Sequence, residues 1–222
     1  MDKIFTKNIE HESAVKHVTG KAIYTDDISE PKNLLHAVIG YSNCSKGVIK
    51  KIDYKDVLSS EGVVDIITEK DIEGINDVGP IFKGDKIFTS KNIEYYGQPI
   101  FAVIAKTNNL AKKAALKVKI DLKISKPIVS IEEALKKKSF VLKPKHLTRG
   151  NIKDGFKKSD NILKGKLYSG GQDHFYLEGQ IAMTIPQEDN NFLVYSSTQH
   201  PSETQQIIGK VLKQNYNSIH VI

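Results

Sequence analysis

Between Asn108 and Ile124 the apolar residues change period, and that change constrains the fold more than any other feature of the chain. Leu110, Ala111, Ala114 and Ala115 recur at helical spacing behind the cap signal Asn108-Asn109. Val118, Ile120, Leu122 and Ile124 then alternate with mostly charged residues, the pattern of a half-exposed strand. Just upstream, Ile100 to Ala105 is an uninterrupted apolar run suited to a buried strand. It is entered through Tyr96-Gly97-Gln98-Pro99, where the glycine serves a tight turn and the proline a strand start. Helix and sheet must therefore pack together in this region.

The same reading extends outward. Residues 1–16 carry little periodicity and are expected to be partly extended, and His17 to Asp27 reads as a loop. Leu34 to Tyr41 and Val48 to Tyr54 read as strands turned through Lys46-Gly47. Asp56 to Ser60 can form one helical turn, and Val63 to Ile67 a buried strand. Glu69 to Lys91, with Gly74, Gly79, Pro80 and Gly84, is polar and reads as an ordered loop. Beyond Ser125 come a proline-bearing connector and a short helix over Ile131 to Lys138. Strands are expected near Asn161 to Ser169, Gly179 to Ile185 and Asn191 to Ser197, a helix from Pro201 to about Gln214, and one more strand from Ser218 to Ile222. Pro201 at the first helical position and Glu203 just inside mark the helix start. The expected organisation is an N-terminal extension (1–16), a first region (17–125), a connector (126–148) and a second region (149–222). The second region has few elements to cover its sheet, which points to a fold completed by more chain.

Two segments concentrate polar chemistry. Gly170-Gly171-Gln172-Asp173-His174-Phe175-Tyr176-Leu177-Glu178 sets a glycine pair before amide, carboxylate, imidazole and phenol groups. Ser196-Ser197-Thr198-Gln199-His200-Pro201-Ser202-Glu203 places Gln199 where a strand passes into a helix, a position at which α/β architectures bind ligands. Unpaired N–H groups at a helix start favour phosphate or oxo-anions. A glutamine there can donate to an oxo group and accept from a hydroxyl without adding charge. From spacing alone, Gln199 or His200 serves equally well as a helix cap. His174 lacks a second histidine at ligand spacing and reads as a hydrogen-bonded structural residue. The lone Cys44 allows no internal disulfide and no thiolate metal cluster. A reducing, cytoplasmic setting is expected. The charge of +7 invites a nucleic-acid reading, but Arg149 is the only arginine and the lysines are scattered, so no nucleic-acid partner is expected. No apolar run reaches membrane-span length, so no membrane partner is expected either.

His17-Val18-Thr19-Gly20 with Tyr24 and Asp26-Asp27, followed by Tyr96-Gly97-Gln98-Pro99, resembles the a/b hammerhead domain of xanthine dehydrogenases and aldehyde oxidases. Gly170 to Gln180 and Ser196 to Glu203 resemble the opening of the molybdopterin-binding domain that follows it, in wording closest to bacterial xanthine dehydrogenase molybdenum subunits. The resemblance runs in order from about residue 11 to 222. It implies an α+β chain, with the hammerhead at 17–125 and an incomplete start of the molybdopterin-binding domain at 149–222.

By resemblance, the complete enzyme hydroxylates hypoxanthine or xanthine with oxygen from water. Its cofactor is molybdenum–molybdopterin, and 2Fe-2S and FAD groups on partner subunits or domains pass electrons to NAD. An aldehyde or another N-heterocycle is the alternative substrate, and a non-catalytic assembly scaffold the alternative role. Gln199 matches the family glutamine that approaches the molybdenum, and residues 170–178 match scaffold around the cofactor. The family's glycine-rich Gly-Gly-Phe-Gly-Gly segment, its substrate clamps and its glutamate base would all lie beyond Ile222. No catalytic residue is therefore expected within this chain, which alone is expected neither to retain molybdopterin nor to turn over xanthine. The remainder of the molybdenum subunit is an expected partner.

Overall fold

The structure, a computed structural model, describes residues 10–222. Along the chain lie α1 (Ala14–Val18), β1 (His36–Tyr41), β2 (Gly47–Asp53), α2 (Lys55–Leu58), β3 (Val63–Ile67), β4 (Asn92–Ile93), β5 (Pro99–Ala105), α3 (Asn108–Ala115) and β6 (Lys119–Ile124). There follow α4 (Ile131–Lys137), α5 (Ile152–Lys157), β7 (Ala182–Pro186), β8 (Phe192–Ser196), α6 (Pro201–Leu212) and β9 (Ile219–Val221). Two compact units result, one of residues 1–125 with 177–222 and one of residues 126–176.

In the larger unit β5 lies between β1 and β3, antiparallel to both. Flanked on both edges and covered by α3, it shows why Ile100 to Ala105 reads as continuous apolar sequence. Phe101 and Val103 are fully buried, as are Ala111 and Ala114 of α3. Thr107 caps α3 by accepting the Leu110 N–H at 3.3 Å. Opposite Phe101 stands Gly40, where a Cβ would come within 2.2 Å of the phenyl ring, so any side chain here must displace that buried ring. The Phe101 ring meets Tyr54 edge-on, with centroids 5.2 Å apart. Burial, and secondarily the Asp71 carboxylate, push the Tyr54 phenol up to about 12, so it stays neutral in this apolar setting.

A second sheet has the order β4-β2-β6. Its β2–β6 pairing sets Ile52 opposite Ile120 and Asp53 opposite Lys119, the alternation expected of a sheet solvated on one face. The Tyr96–Pro99 motif is a hydrogen-bonded corner. Gly97 has φ +79°, Ser42 N–H donates to Gln98 O at 2.9 Å, and Gln98 N–H donates to Ser42 Oγ at 3.1 Å. The buried Gln98 amide oxygen accepts the Glu94 N–H at 2.8 Å. The motif's polarity is thus spent on holding the chain as it enters β5.

The third sheet has the order β7-β8-β9. β7 and β8 form an antiparallel hairpin, while β9 runs parallel to β8 after the crossover through α6. Ile219 of β9 is buried against this pair, so the expected final strand is paired through one edge.

The smaller unit contains α4 and α5 and no strand. Ser130 caps α4 by accepting the Glu133 N–H, and Asn151 caps α5 by accepting the Asp154 N–H. None of its residues is buried. The strand expected over Asn161 to Ser169 does not form: Leu163 and Leu167 are almost fully exposed, and no neighbouring strand pairs with them among the described residues. A strand needs a partner for its main-chain groups, and periodicity supplies none. Residues 14–18 are helical rather than extended, and residues 1–9 of the expected extension lie outside the described residues.

Candidate functional site

The carboxyl end of β8 passes into α6 within four residues, and hydrogen bonds through Ser196, Ser197, Thr198 and Thr204 hold the junction. Ser196 N–H donates to Ile222 O at 3.0 Å, and Ser197 N–H to Ile181 O at 3.1 Å. The Ile181 N–H donates to Ser197 Oγ at 3.0 Å, so this serine stitches the junction to the chain entering β7. Thr198 Oγ1 accepts the His200 N–H at 3.0 Å and lies 3.2 Å from Thr204 Oγ1, which donates to His200 O at 3.0 Å. Gln205 Nε2 donates to Ile219 O at 2.7 Å, tying α6 to β9.

Gln199 sits in the middle of this fixed frame and is exposed. Its side chain has no hydrogen-bond partner among the described residues, and His200 does not cap α6 through its imidazole. A free carboxamide is therefore presented at a strand-to-helix junction, beside a helix start whose first residue, Pro201, has no N–H to satisfy. An uncharged group able to donate and accept there fits a ligand carrying oxo or hydroxyl oxygens.

The dense motif divides differently from its appearance in the sequence. Residues 170–176 belong to the smaller unit and are exposed and irregular, with Phe175 at φ +51°. Glu178 belongs to the larger unit, where its Oε1 accepts the Thr25 N–H at 2.9 Å. That bond joins the start of β7's approach to the Tyr24-Thr25-Asp26-Asp27 turn, a contact no local pattern encodes. It borders a polar cleft of about 720 Å³ lined in part by Asp26, His36, Gln180 and Met183. His174 gathers no ligand set: among the described residues no group of three or more His, Cys, Asp or Glu could hold a metal ion. Cys44 is buried.

Comparison with known proteins places these features. Residues 19–126 match the model of the aldehyde oxidase and xanthine dehydrogenase a/b hammerhead domain, and residues 133–222 match that of the molybdopterin cofactor-binding domain. The chain belongs to the xanthine dehydrogenase and aldehyde oxidase family. It carries that family's hammerhead, followed by the start of its molybdopterin-binding domain. Xanthine dehydrogenase of Dictyostelium discoideum is 37% identical over 96% of this chain and 16% of its own length. Aldehyde oxidase 1 of Bos taurus is 38% identical over 95% of this chain and 16% of its own length. The chain thus spans about one sixth of the curated relatives it matches, and family likeness alone does not separate xanthine dehydrogenases from aldehyde oxidases. The solved aldehyde oxidoreductase of Desulfovibrio gigas superposes with a TM-score of 0.81 at 25% identity, over 95% of this chain and 26% of that one. Among the described residues no helix is long and apolar enough to cross a membrane.

Proposed function

We propose that this chain is part of a molybdenum hydroxylase and that Gln199 presents its amide to the cofactor. The observation carrying this reading is the free, exposed carboxamide at the β8–α6 junction, inside the region that matches a molybdopterin cofactor-binding domain. When bound, molybdenum–molybdopterin supplies the two-electron acceptor and the activation of water that hydroxylation of an electron-poor carbon requires. Gln199 contributes orientation: its Nε2–H donates toward an oxo group and its Oε1 accepts from a hydroxyl, with no change in local charge. Ser197, Thr198 and Thr204 hold the junction that carries it. Gln199 is the one residue assigned to the cofactor. The substrate is a purine of the hypoxanthine or xanthine type. Iron–sulfur and FAD groups on partner subunits or domains take the electrons onward to NAD in the cytoplasm. An aldehyde is the second reading, favoured by the equal likeness to aldehyde oxidases.

The test uses the assembled enzyme. Gln199→Ala is expected to lower kcat about a hundredfold to a thousandfold with molybdenum content unchanged, as for loss of one positioned donor. An unchanged kcat on both xanthine and an aromatic aldehyde would sink the assignment, and the ratio of the two activities selects the substrate class.

A further inference from the structure

The helix that begins beside Gln199 ends against the hammerhead. At its C-terminus the carbonyls of the last turn have no partners within the helix. Two of them are met by main-chain donors from the loop after β3: Gly74 N–H donates to Val211 O at 2.8 Å and Ile75 N–H to Lys210 O at 3.1 Å. The approach is so close that a Cβ on Gly74 would lie 1.9 Å from Lys210 O and 2.6 Å from Val211 O. Both obstacles are main chain, so no side-chain rotation relieves them.

The loop is itself anchored. Asn76 brackets Phe88 with two hydrogen bonds, Nδ2 donating to Phe88 O at 2.8 Å and the Phe88 N–H donating to Oδ1 at 3.1 Å. Phe88 is buried, and the neighbouring Thr89 N–H donates to Pro99 O at 3.0 Å, at the start of β5. A continuous bonded path, main chain except for the Asn76 side chain, thus runs from the central strand of the hammerhead to the last turn of α6. Within α6, Gly209 is buried against Tyr216, and Gln205 holds Ile219 O. A two-point main-chain grip on one end of a helix restrains the sliding and tilting that would move its other end.

We propose that Gly74 is a positioning residue: with Ile75 it grips the end of α6 and thereby sets the place of Gln199 at the opposite end. This rests on the assignment of Gln199 to the cofactor. The test is a double-mutant cycle in the assembled enzyme with Gly74→Ala, Gln199→Ala and both together, reading kcat, KM and molybdenum content. Gly74→Ala is expected to lower kcat about tenfold with Gln199 present, with KM and molybdenum content held, and to add nothing in the Gln199→Ala background. Equal losses in both backgrounds would overturn the proposal, because they show a merely structural role. If Gln199→Ala alone leaves kcat unchanged, the assignment of Gln199 has failed on its own. Positioning is then decided by amide exchange at Thr204 and Gln205, where faster exchange in Gly74→Ala supports it and unchanged exchange overturns it. Should Gly74→Ala not assemble, Asn76→Ala frees the loop without placing an atom against α6, and the same cycle applies.

Discussion

The two units of this chain draw on similar residues and reach opposite outcomes. The larger holds three sheets, with α3 and β5 at the heart of a buried core, whereas residues 126–176 form two short helices with no buried residue at all. Charge divides them as sharply. Residues 126–176 hold twelve of the 33 lysines and arginines but only five of the 26 acidic residues, a net +7 equal to that of the whole chain. The larger unit is therefore balanced, and opposite charges alternate across its solvated strands, as at Asp53 and Lys119. In the smaller unit like charges repel and no buried apolar surface opposes them. Apolar residues make a core only where partners can cover them. Phe101 has α3, Tyr54 and Gly40, while Leu163 and Leu167 face water.

Amide exchange breaks or sharpens this contrast most directly. From Asp160 to Phe175 no main-chain N–H has a hydrogen-bond acceptor among the described residues, whereas β5 is bonded along both edges. In the 222-residue chain, amides of 160–175 are expected to exchange at least about a thousandfold faster than those of Phe101 and Val103. Equal protection would mean that the smaller unit has a bonding network of its own. Phenylalanine truncation is the next lever. Phe101→Ala empties a fully buried site and is expected to cost about 3–5 kcal/mol in denaturant unfolding. Phe156→Ala, on the exposed α5, is expected to stay within about 0.5 kcal/mol. Comparable losses at the two positions would erase the distinction between the units.

The same contrast decides how much the sequence could disclose. Where one face of an element is buried, the pattern is legible: the apolar run of β5, the helical stripe of α3 and the alternation of β6 are all visible. The strand-to-helix setting of Gln199 is visible too, because Pro201 and Glu203 mark the helix start locally. The two-residue β4 is too short to carry a period, and α5 interrupts its stripe with Gly155. The expected strand at 161–169 had the right residues and no partner. The grip of Gly74 on α6 and the bond from Thr25 to Glu178 join residues more than a hundred positions apart, which no local pattern reports.

The smallest expected effect concerns how the loop after β3 holds its shape without a core. Asp77 accepts the Gly84 N–H at 2.7 Å and the Gly79 N–H at 2.8 Å, and these two donors hold its carboxyl below the usual carboxylate range. Because the folded value is depressed, the unfolded chain binds the proton more readily, and acid opposes the loop. The contribution is fully present above the unfolded value of about 3.9 and is lost as pH falls through the lower folded one. Amide exchange at Gly79 and Gly84 should therefore accelerate, beyond its intrinsic pH dependence, only below about pH 4. In Asp77→Asn, which accepts through one oxygen and does not titrate, that acid step should vanish. An acid step that persists in Asp77→Asn would assign it to another carboxylate. Asp71 is then the next to examine, since Thr68 holds it below the usual range through its hydroxyl and main-chain N–H.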